Sequence, residues 1–477
     1  MELEFKKCNK DSMFDWTGHP FVDAGLTGIL LYCGKKCPEE LTDEDVENAI
    51  KFVSNLYSTD KWVKYIHGRL FPNNGLLMAN PSMKKNRTPE NIAKRLGKLY
   101  NNDVNKKEVA TCSICGKEAN IVDMDIYRSV FPLLGSGDTT NFFHSGRING
   151  EVICASCLFL AQFMPIVSYS IGNRSFIIHA YPYEKNLDLL KEPLDSVIES
   201  EIANAESFKQ SVNFLFHKIY ELVRKVGNND YWDDVEISAY YFGCGNRSGD
   251  QLIDIYNIPN PILKFMAVAG QKDPVGWKNV VNRGWIRKKN NSNEEEFEKL
   301  EKTNGNVVYQ KLLNDESILH YFYDINKKEA LASWRLISHY CSEVLGLDKD
   351  TLEFIKDIGD RIVETLNSLE ESKLKKELRI LENANRLYEL AYFFRRAEKI
   401  RQKRAISEPL MSFDEFAKLL LGYGEDIDTS WKTVRDLLLF RIYEKLHDRL
   451  MNAEVEDIDE KNYENAYDSD LYEGDDE

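Results

Sequence analysis

Two cysteine pairs constrain this chain more than any other feature. Cys112 and Cys115 stand three positions apart in TCSICGKEA (111–119), and Cys154 and Cys157 repeat the spacing in EVICASCLF (151–159), with 38 residues between the pairs. A CxxC turn presents two thiolates on one side of a tight knuckle, and two knuckles complete the four soft ligands of a tetrahedral Zn2+. Gly116 lets the first knuckle turn. The usual ribbon has about 15–20 residues between its pairs. The longer gap here requires a structured excursion that leaves one knuckle and returns to the other, and FPLLGSGDTTNFFHSGRING fits it. Structural zinc on Cys112, Cys115, Cys154 and Cys157 is the expectation. Three alternatives stay open, the first being two unrelated cysteine pairs. A redox CxxC would have to open a helix in a thioredoxin-like unit, which the pattern does not show, and His144 could replace one cysteine. Cys33 and Cys37 in CGKKC lack a partner pair and read as incidental.

Nine cysteines in 477 residues is not the density of a secreted disulfide scaffold. The N-terminus, MELEFKKCNKDSMFDW, lacks a basic-then-apolar leader. The longest apolar stretch, ICASCLFLAQFMPIVSYSIG, is broken by polar residues and Pro165. A cytoplasmic protein with no membrane partner is expected. The net charge of −16 is unevenly spread. Residues 452–477 hold twelve acids against Lys461 alone, so 11 of those charges lie in the tail and the body carries only −5. A self-repelling tail poor in apolar residues is expected to be disordered.

The expected fold class is α+β. Residues 1–110 read as a mixed α/β part, with Asp23 placed as a helix N-cap, DEDVENAIKFVSNLY as an amphipathic helix, and PENIAKRLGKLYNN as another with Pro89 at its first position. FPNNGLLMANPSMKKNR reads as a strand between loops. The zinc-binding module is inserted at 111–160. A β-rich continuation follows at 161–310, with RSFIIHAYPY, VEISAYYFGCG and QLIDIYNI as strands and GNRSGD as a hairpin loop. From 311 to 451 Gly and Pro become scarce and the helical period dominates, which predicts a helical bundle. SILHYFYDINKKEALASWRLISHYCSEVLG is read as its first helix, and Ser412 with Glu415 as a capping box later in it.

Basic residues gather in three places. FFRRAEKIRQKR places Arg395, Lys399 and Lys403 at i, i+4 and i+8, a cationic stripe beside Arg396 that can track a phosphate backbone; a solvated helix face is the competing reading. MKKNRTPENIAKRLGKLYNNDVNKK contains Lys84, Lys85 and Arg87 close after Asn73 and Asn74. GWKNVVNRGWIRKKNN adds Arg283, Arg287, Lys288 and Lys289, with Trp277 and Trp285 interleaved as in single-strand or RNA binders. Three such regions favour a nucleic-acid partner. No Walker loop, HExxH, GxSxG or DFG set is present, and LLGSGDTT lacks the lysine of a P-loop. His19, with Asp15 and Asp23 nearby, has the makings of a base, but a role in a tight turn fits better.

FDWTGHPFVDAGL, the two CxxC pairs flanking PLLGSGDTTNFFHSG, and an all-helical last third together resemble the CXXC–CXXC family of CRISPR-associated proteins. The resemblance implies the non-enzymatic large subunit of a type I-B Cascade complex. Such a subunit binds crRNA and target double-stranded DNA, reads the PAM, stabilises the R-loop and docks a helicase-nuclease. Its neighbours would be the subunit that caps the crRNA handle, the backbone subunit and the helical small subunit, which its C-terminal part resembles. Base pairing then reads the target while the protein reads a short PAM and holds backbones. Polar loops are the candidate readers: Asn73, Asn74, Lys84, Lys85 and Arg87, with Asn246 and Arg247 at the hairpin tip as second choice. The alternative class is a zinc-ribbon nuclease, for which the sequence supplies no carboxylate cluster.

Overall fold

A computed structural model describes residues 13–72, 74, 77, 82, 84–103, 105–122, 128–134, 152–199, 201–205, 207–226, 229–244, 251–286, 297–421 and 427–451. The chain divides into two units. The first runs to Ile318 and takes in His339–Gly346; the second holds Leu319–Ser338 and the chain from Leu347.

In the first unit, helix α1 (Pro20–Cys33) starts where Pro20 pre-sets the backbone and the His19 Nδ1 accepts from the Phe21 N–H at 3.3 Å. Every residue from Phe21 to Leu30 is buried, so α1 is enclosed on all sides. Asp23 is therefore not the N-cap that the sequence pattern indicated. It lies inside the helix, fully buried, and its carboxylate accepts from Thr17 N (2.8 Å), Thr17 Oγ1 (2.9 Å) and Gly18 N (2.9 Å) while facing His179 Nε2 at 3.1 Å. These bonds offset the burial of its charge and fasten the loop before α1. His19 has a structural place too, since burial drives its pKa down to about 4.

Helices α2 (Asp43–Tyr57), α3 (Asp60–Arg69) and α4 (Pro89–Tyr100) follow. Thr42 and Asp45 form a reciprocal capping box on α2, and Thr88 caps α4 ahead of Pro89. The described residues of FPNNGLLMANPSMKKNR, 71, 72, 74, 77, 82 and 84–87, form no strand, and the rest of that stretch lies outside the described residues. A hairpin of β1 (Asn105–Thr111) and β2 (Glu118–Val122) leads to α5 (Ala155–Ala161). Next comes a four-stranded antiparallel sheet in the order β3 (Tyr169–Ile171), β4 (Arg174–Tyr181), β5 (Glu236–Cys244) and β6 (Gln251–Ile258). The β5–β6 pairing matches the expected hairpin, whose loop lies outside the described residues.

The 161–310 stretch is more helical than β-rich, which corrects the sequence reading. Helices α6 (Asn186–Leu189), α7 (Lys191–Ile198) and α8 (Ser211–Val226) separate β4 from β5, and α9 (Asn260–Lys272), α10 (Pro274–Arg283), α11 (Phe297–Thr303) and α12 (Val307–Leu313) follow β6. In SVNFLFHKIYELVRKV the buried set Phe214, Leu215, Ile219 and Val223 keeps the helical period.

On α8, His217 faces Glu301 of α11 at 3.1 Å and Glu221 at 3.4 Å. Burial alone would lower the imidazole, but hydrogen bonds to both glutamates raise its pKa from 6.5 to about 9. A raised pKa means stability fully present below pH 6.5 and lost as pH rises through about 9. The melting temperature of the native chain should fall between those values by more than that of His217→Gln. Parallel profiles for the two proteins would contradict the pairing.

The second unit opens with a short hairpin, β7 (Tyr323–Asp324) with β8 (Glu329–Ala330), where a helix was expected. The Asp324 Oδ1 accepts from the Asn326 and Lys327 N–H groups at 2.9 and 3.2 Å, and Lys328 takes φ 50°. That local turn replaces the helix. The division between the units falls within α13 (Trp334–Glu343). Helices α14 (Lys349–Asn367), α15 (Glu371–Glu382), α16 (Leu387–Lys403), α17 (Phe413–Leu421) and α18 (Ile427–Met451) complete the described part. Ser412 and Glu415 cap α17 reciprocally, at 2.6 and 3.2 Å. Arg441 of α18 grips Asp360 of α14 with two bonds of 2.8 Å. The 452–477 tail lies outside the described residues.

Candidate metal centre and basic surfaces

Cys112 directly follows β1. Its N–H donates to Lys117 O (2.9 Å) and its carbonyl accepts from Gly116 N (3.0 Å), which closes a knuckle over Gly116 at φ 68°. Cys154 is the N-cap of α5, with its Sγ accepting from Cys157 N at 3.5 Å. Ser113 N donates to Val152 O (2.7 Å) and Cys154 N to the Cys112 Sγ (3.3 Å), so the second knuckle is laid against the first. The second CxxC does open a helix, as a redox motif would, yet the other pair faces it.

The four Sγ atoms lie within 4.8 Å of one another, and Cys115 and Cys154 are 3.8 Å apart. Tetrahedral thiolate coordination at about 2.3 Å puts sulfurs about 3.8 Å apart, whereas a disulfide brings them to about 2.05 Å. The cluster thus has the dimensions of a four-thiolate metal site. Hydrogen bonds from Cys154 and Cys157 hold the Cys112 thiol far below its ordinary range, and the same contacts push Cys154 and Cys157 up. Four thiols this close resist ionising together, and a cation relieves that repulsion. Nearby, Lys117 pairs with Asp15, which raises its ammonium pKa. His144 lies outside the described residues.

The candidate nucleic-acid residues are scattered, and some are turned inward. Asn74 is 1% exposed; its amide donates to Ser129 O (2.8 Å) and its carbonyl accepts from Arg95 (2.7 Å) and from Leu77 N (3.3 Å). Arg87 is buried and paired with Asp60, which also holds Lys84 at 3.0 Å. Asn74 and Arg87 are thus structural, which corrects their reading as base readers; Lys84 and Lys85 are exposed. Asn73, Asn246, Arg247, Arg287, Lys288 and Lys289 lie outside the described residues. Arg283 is exposed at the end of α10, but Trp277 and Trp285 are core residues packed on Phe265 and on Phe297. They offer no stacking face.

On α16, Arg395, Lys399 and Lys403 are exposed along one side. Arg396 turns to Glu377 of α15, with bonds of 2.8 and 2.5 Å. Arg401, 1% exposed, clamps α16 to α14 through Arg361 O (3.1 Å), Glu364 (2.9 Å) and Thr365 (3.0 Å). The stripe available to a partner is therefore Arg395, Lys399 and Lys403. Phe393 and Phe394 are core residues, while Arg395 lies 6.0 Å from the Tyr392 ring centroid.

No helix among the described residues is long and apolar enough to cross a membrane. A family model described as CRISPR-associated protein (Cas_CXXC_CXXC) matches residues 104–169, the stretch that contains both cysteine pairs. The chain is similar to that family over these residues. Neither a curated protein nor a solved structure matches it.

Proposed function

We propose that this chain is the non-enzymatic large subunit of a type I-B CRISPR surveillance complex, which binds crRNA and PAM-bearing duplex DNA and stabilises the R-loop. The observation that carries this reading is the coincidence of the four-cysteine cluster with the stretch similar to the CRISPR-associated family. Cys112, Cys115, Cys154 and Cys157 would hold one Zn2+. A site of four protein thiolates leaves no open position for a substrate, so the ion's part is to join β1–β2 to α5. Lys84 and Lys85 near the PAM, and Arg395, Lys399 and Lys403 along a backbone, supply contacts that fix register. The handle-capping, backbone and small subunits, and a helicase-nuclease, are the proposed protein partners.

Co-expression with those subunits and a crRNA should give one particle that retains this chain, and target binding should depend on the PAM. A chain that stays out of the particle, or equal binding with and without a PAM, would overturn the reading. Cleavage of DNA by the isolated chain in Mg2+ or Mn2+ would favour a zinc-ribbon nuclease instead. Changing Arg395, Lys399 and Lys403 to Ala should flatten the slope of log affinity against log salt by about 2–3 for duplex DNA, because each lost phosphate contact releases about one fewer counterion. An unaltered slope would make the stripe a solvated face.

A further inference from the structure

The place where the chain leaves α18 decides what its acidic 452–477 segment can meet. Helices α14 and α18 lie side by side and run the same way, with Arg441 on Asp360 and Arg449 on Asn367. Arg449, in the last turn of α18, donates to the Asn367 side-chain oxygen at 2.8 Å and to the Leu369 carbonyl. The end of α16 meets the same stretch, where Arg401 bonds Arg361 O (3.1 Å), Glu364 (2.9 Å) and Thr365 (3.0 Å). The exit from α18 and the C-terminal end of the α16 stripe thus converge on residues 361–369, about 12 Å along the axis. At about 3.3–3.6 Å per residue, the 26 residues from Asn452 reach far past that stretch and past the further about 12 Å from Lys403 to Arg395.

The charges on the two sides are opposite and unequally satisfied. Residues 395–404 hold six cations and Glu398. Glu377 takes Arg396 and Glu364 takes Arg401. The Glu398 carboxylate accepts from Leu410 N (2.7 Å) and from the Gln402 amide (3.2 Å). Counting all three acids against the six cations leaves three positive charges, on the exposed side where Arg395, Lys399, Lys403 and Arg404 stand. No carboxylate among the described residues pairs with Arg395, Lys399 or Lys403. Residues 452–477 bring twelve acids against Lys461, a net charge of −11. Joined to the stripe by a short stretch of chain, those acids act on it at an effective concentration of about a millimolar, which makes weak individual pairs count together.

We infer that residues 452–477 lie across Arg395, Lys399 and Lys403 of the same chain and exclude other polyanions from that stripe until a more highly charged one displaces them. The contact itself does not rest on the function proposed above; the identity of the displacing polyanion as nucleic acid does.

The test uses full-length, metal-loaded protein. A carbodiimide, which joins lysine amines to carboxylates, should link the 452–477 acids to Lys399 and Lys403 about fivefold or more often than to Lys349 and Lys432, exposed at the starts of α14 and α18. The preference should vanish near about 0.5 M salt. Even linking across the four lysines overturns the contact. So do links that join isotopically labelled to unlabelled chains, which would put the segment on a second copy. The second arm measures binding of a fluorescein-labelled oligodeoxythymidine to a chain whose twelve acids in 452–477 are changed to their amides. At low salt it should bind about tenfold more tightly than the native chain, a gain that shrinks to about twofold or less when Arg395, Lys399 and Lys403 are also changed to Ala. Because salt loosens the segment as well as the DNA, the slope assigned above to the three cations is recovered in full in this amide chain. A gain of equal size in both backgrounds is long-range repulsion and overturns the contact, as does no gain in a chain that binds. Selective links in a protein that binds no oligonucleotide with or without the twelve acids refute the nucleic-acid reading and leave the contact standing. Oligonucleotide binding that depends on the three cations, with even linking, does the reverse.

Discussion

Cys112→Ser should yield a chain with less than a tenth of the roughly one zinc ion per chain expected for the native protein, recovered as insoluble or protease-sensitive material. Structural zinc binding by four thiolates is worth about 10–16 kcal/mol in small zinc domains, as much as the whole stability of a typical domain at about 5–15 kcal/mol. Here the knuckles join the β1–β2 hairpin to α5, whose Leu158, Phe159 and Leu160 are at most 2% exposed. Loss of the ion therefore reaches the core of the first unit. Cys33→Ser is the control, since that thiol lies outside the cluster and hydrogen-bonds Asp45 O at 3.5 Å. Elemental analysis with limited proteolysis reads both effects. A soluble, fully stable and metal-free Cys112→Ser protein would remove the structural role of the site.

Gly25→Ala should be the most damaging single methyl in the first unit. A Cβ at Gly25 would stand 1.8 Å from the Leu160 carbonyl oxygen, so α1 and α5 meet there backbone to backbone. Neither can yield without moving a buried helix. The destabilisation should exceed the about 1–3 kcal/mol of ordinary overpacking. Gly28→Ala meets Ile166 Cγ1 at 3.1 Å, a side chain that can shift, and should fall inside that range. Gly68 on α3 has open space around its Cβ, and Gly68→Ala should stabilise by about 0.5–1 kcal/mol through helix propensity. Chemical denaturation ranks the three. If Gly25→Ala unfolds at the same denaturant concentration as Gly28→Ala, the close crossing is not as described.

The cysteine spacing made the four-cysteine cluster legible, because a knuckle is a local object and a metal site needs four donors however far apart the pairs lie. Helices α2 and α4 were legible for a similar reason: the apolar period of DEDVENAIKFVSNLY and Pro89 at the first position of PENIAKRLGKLYNN are signals written within a few residues. The β5–β6 hairpin announced itself by strand composition around GNRSGD. What stayed hidden depends on distant partners. Asp23 looked like an N-cap, but what explains it is His179, 156 residues away. Arg396 looked like a phosphate contact in a cationic run that also holds Arg401, until Glu377 and Glu364 on neighbouring helices claimed the two. Asn74 looked like a loop residue free to read bases, and Arg95 and Ser129 hold it inside. The helical period over Tyr321–Trp334 was real, but the Asp324 turn overrode it. Tryptophans between basic residues carry no sign of which way they face, and Trp277 and Trp285 face inward.

The second unit is assembled from two stretches of chain on either side of His339–Gly346, and this bears on how a gene could yield it alone. Tyr323 hydrogen-bonds Asp436 at 3.1 Å, the Lys328 carbonyl receives His447 at 2.9 Å, and Trp334 N donates to Glu444 at 3.2 Å. A polypeptide initiated after residue 346 would leave all three partners on α18 without their mates. The reading frame has no methionine between Met266 and Met411, and beginning at Met411 would discard α14, α15 and α16. A ribosome making this unit as an independent product must therefore begin at or before Leu319, either at Met266, with residues 266–318 of the first unit at its N-terminus, or at a codon other than AUG.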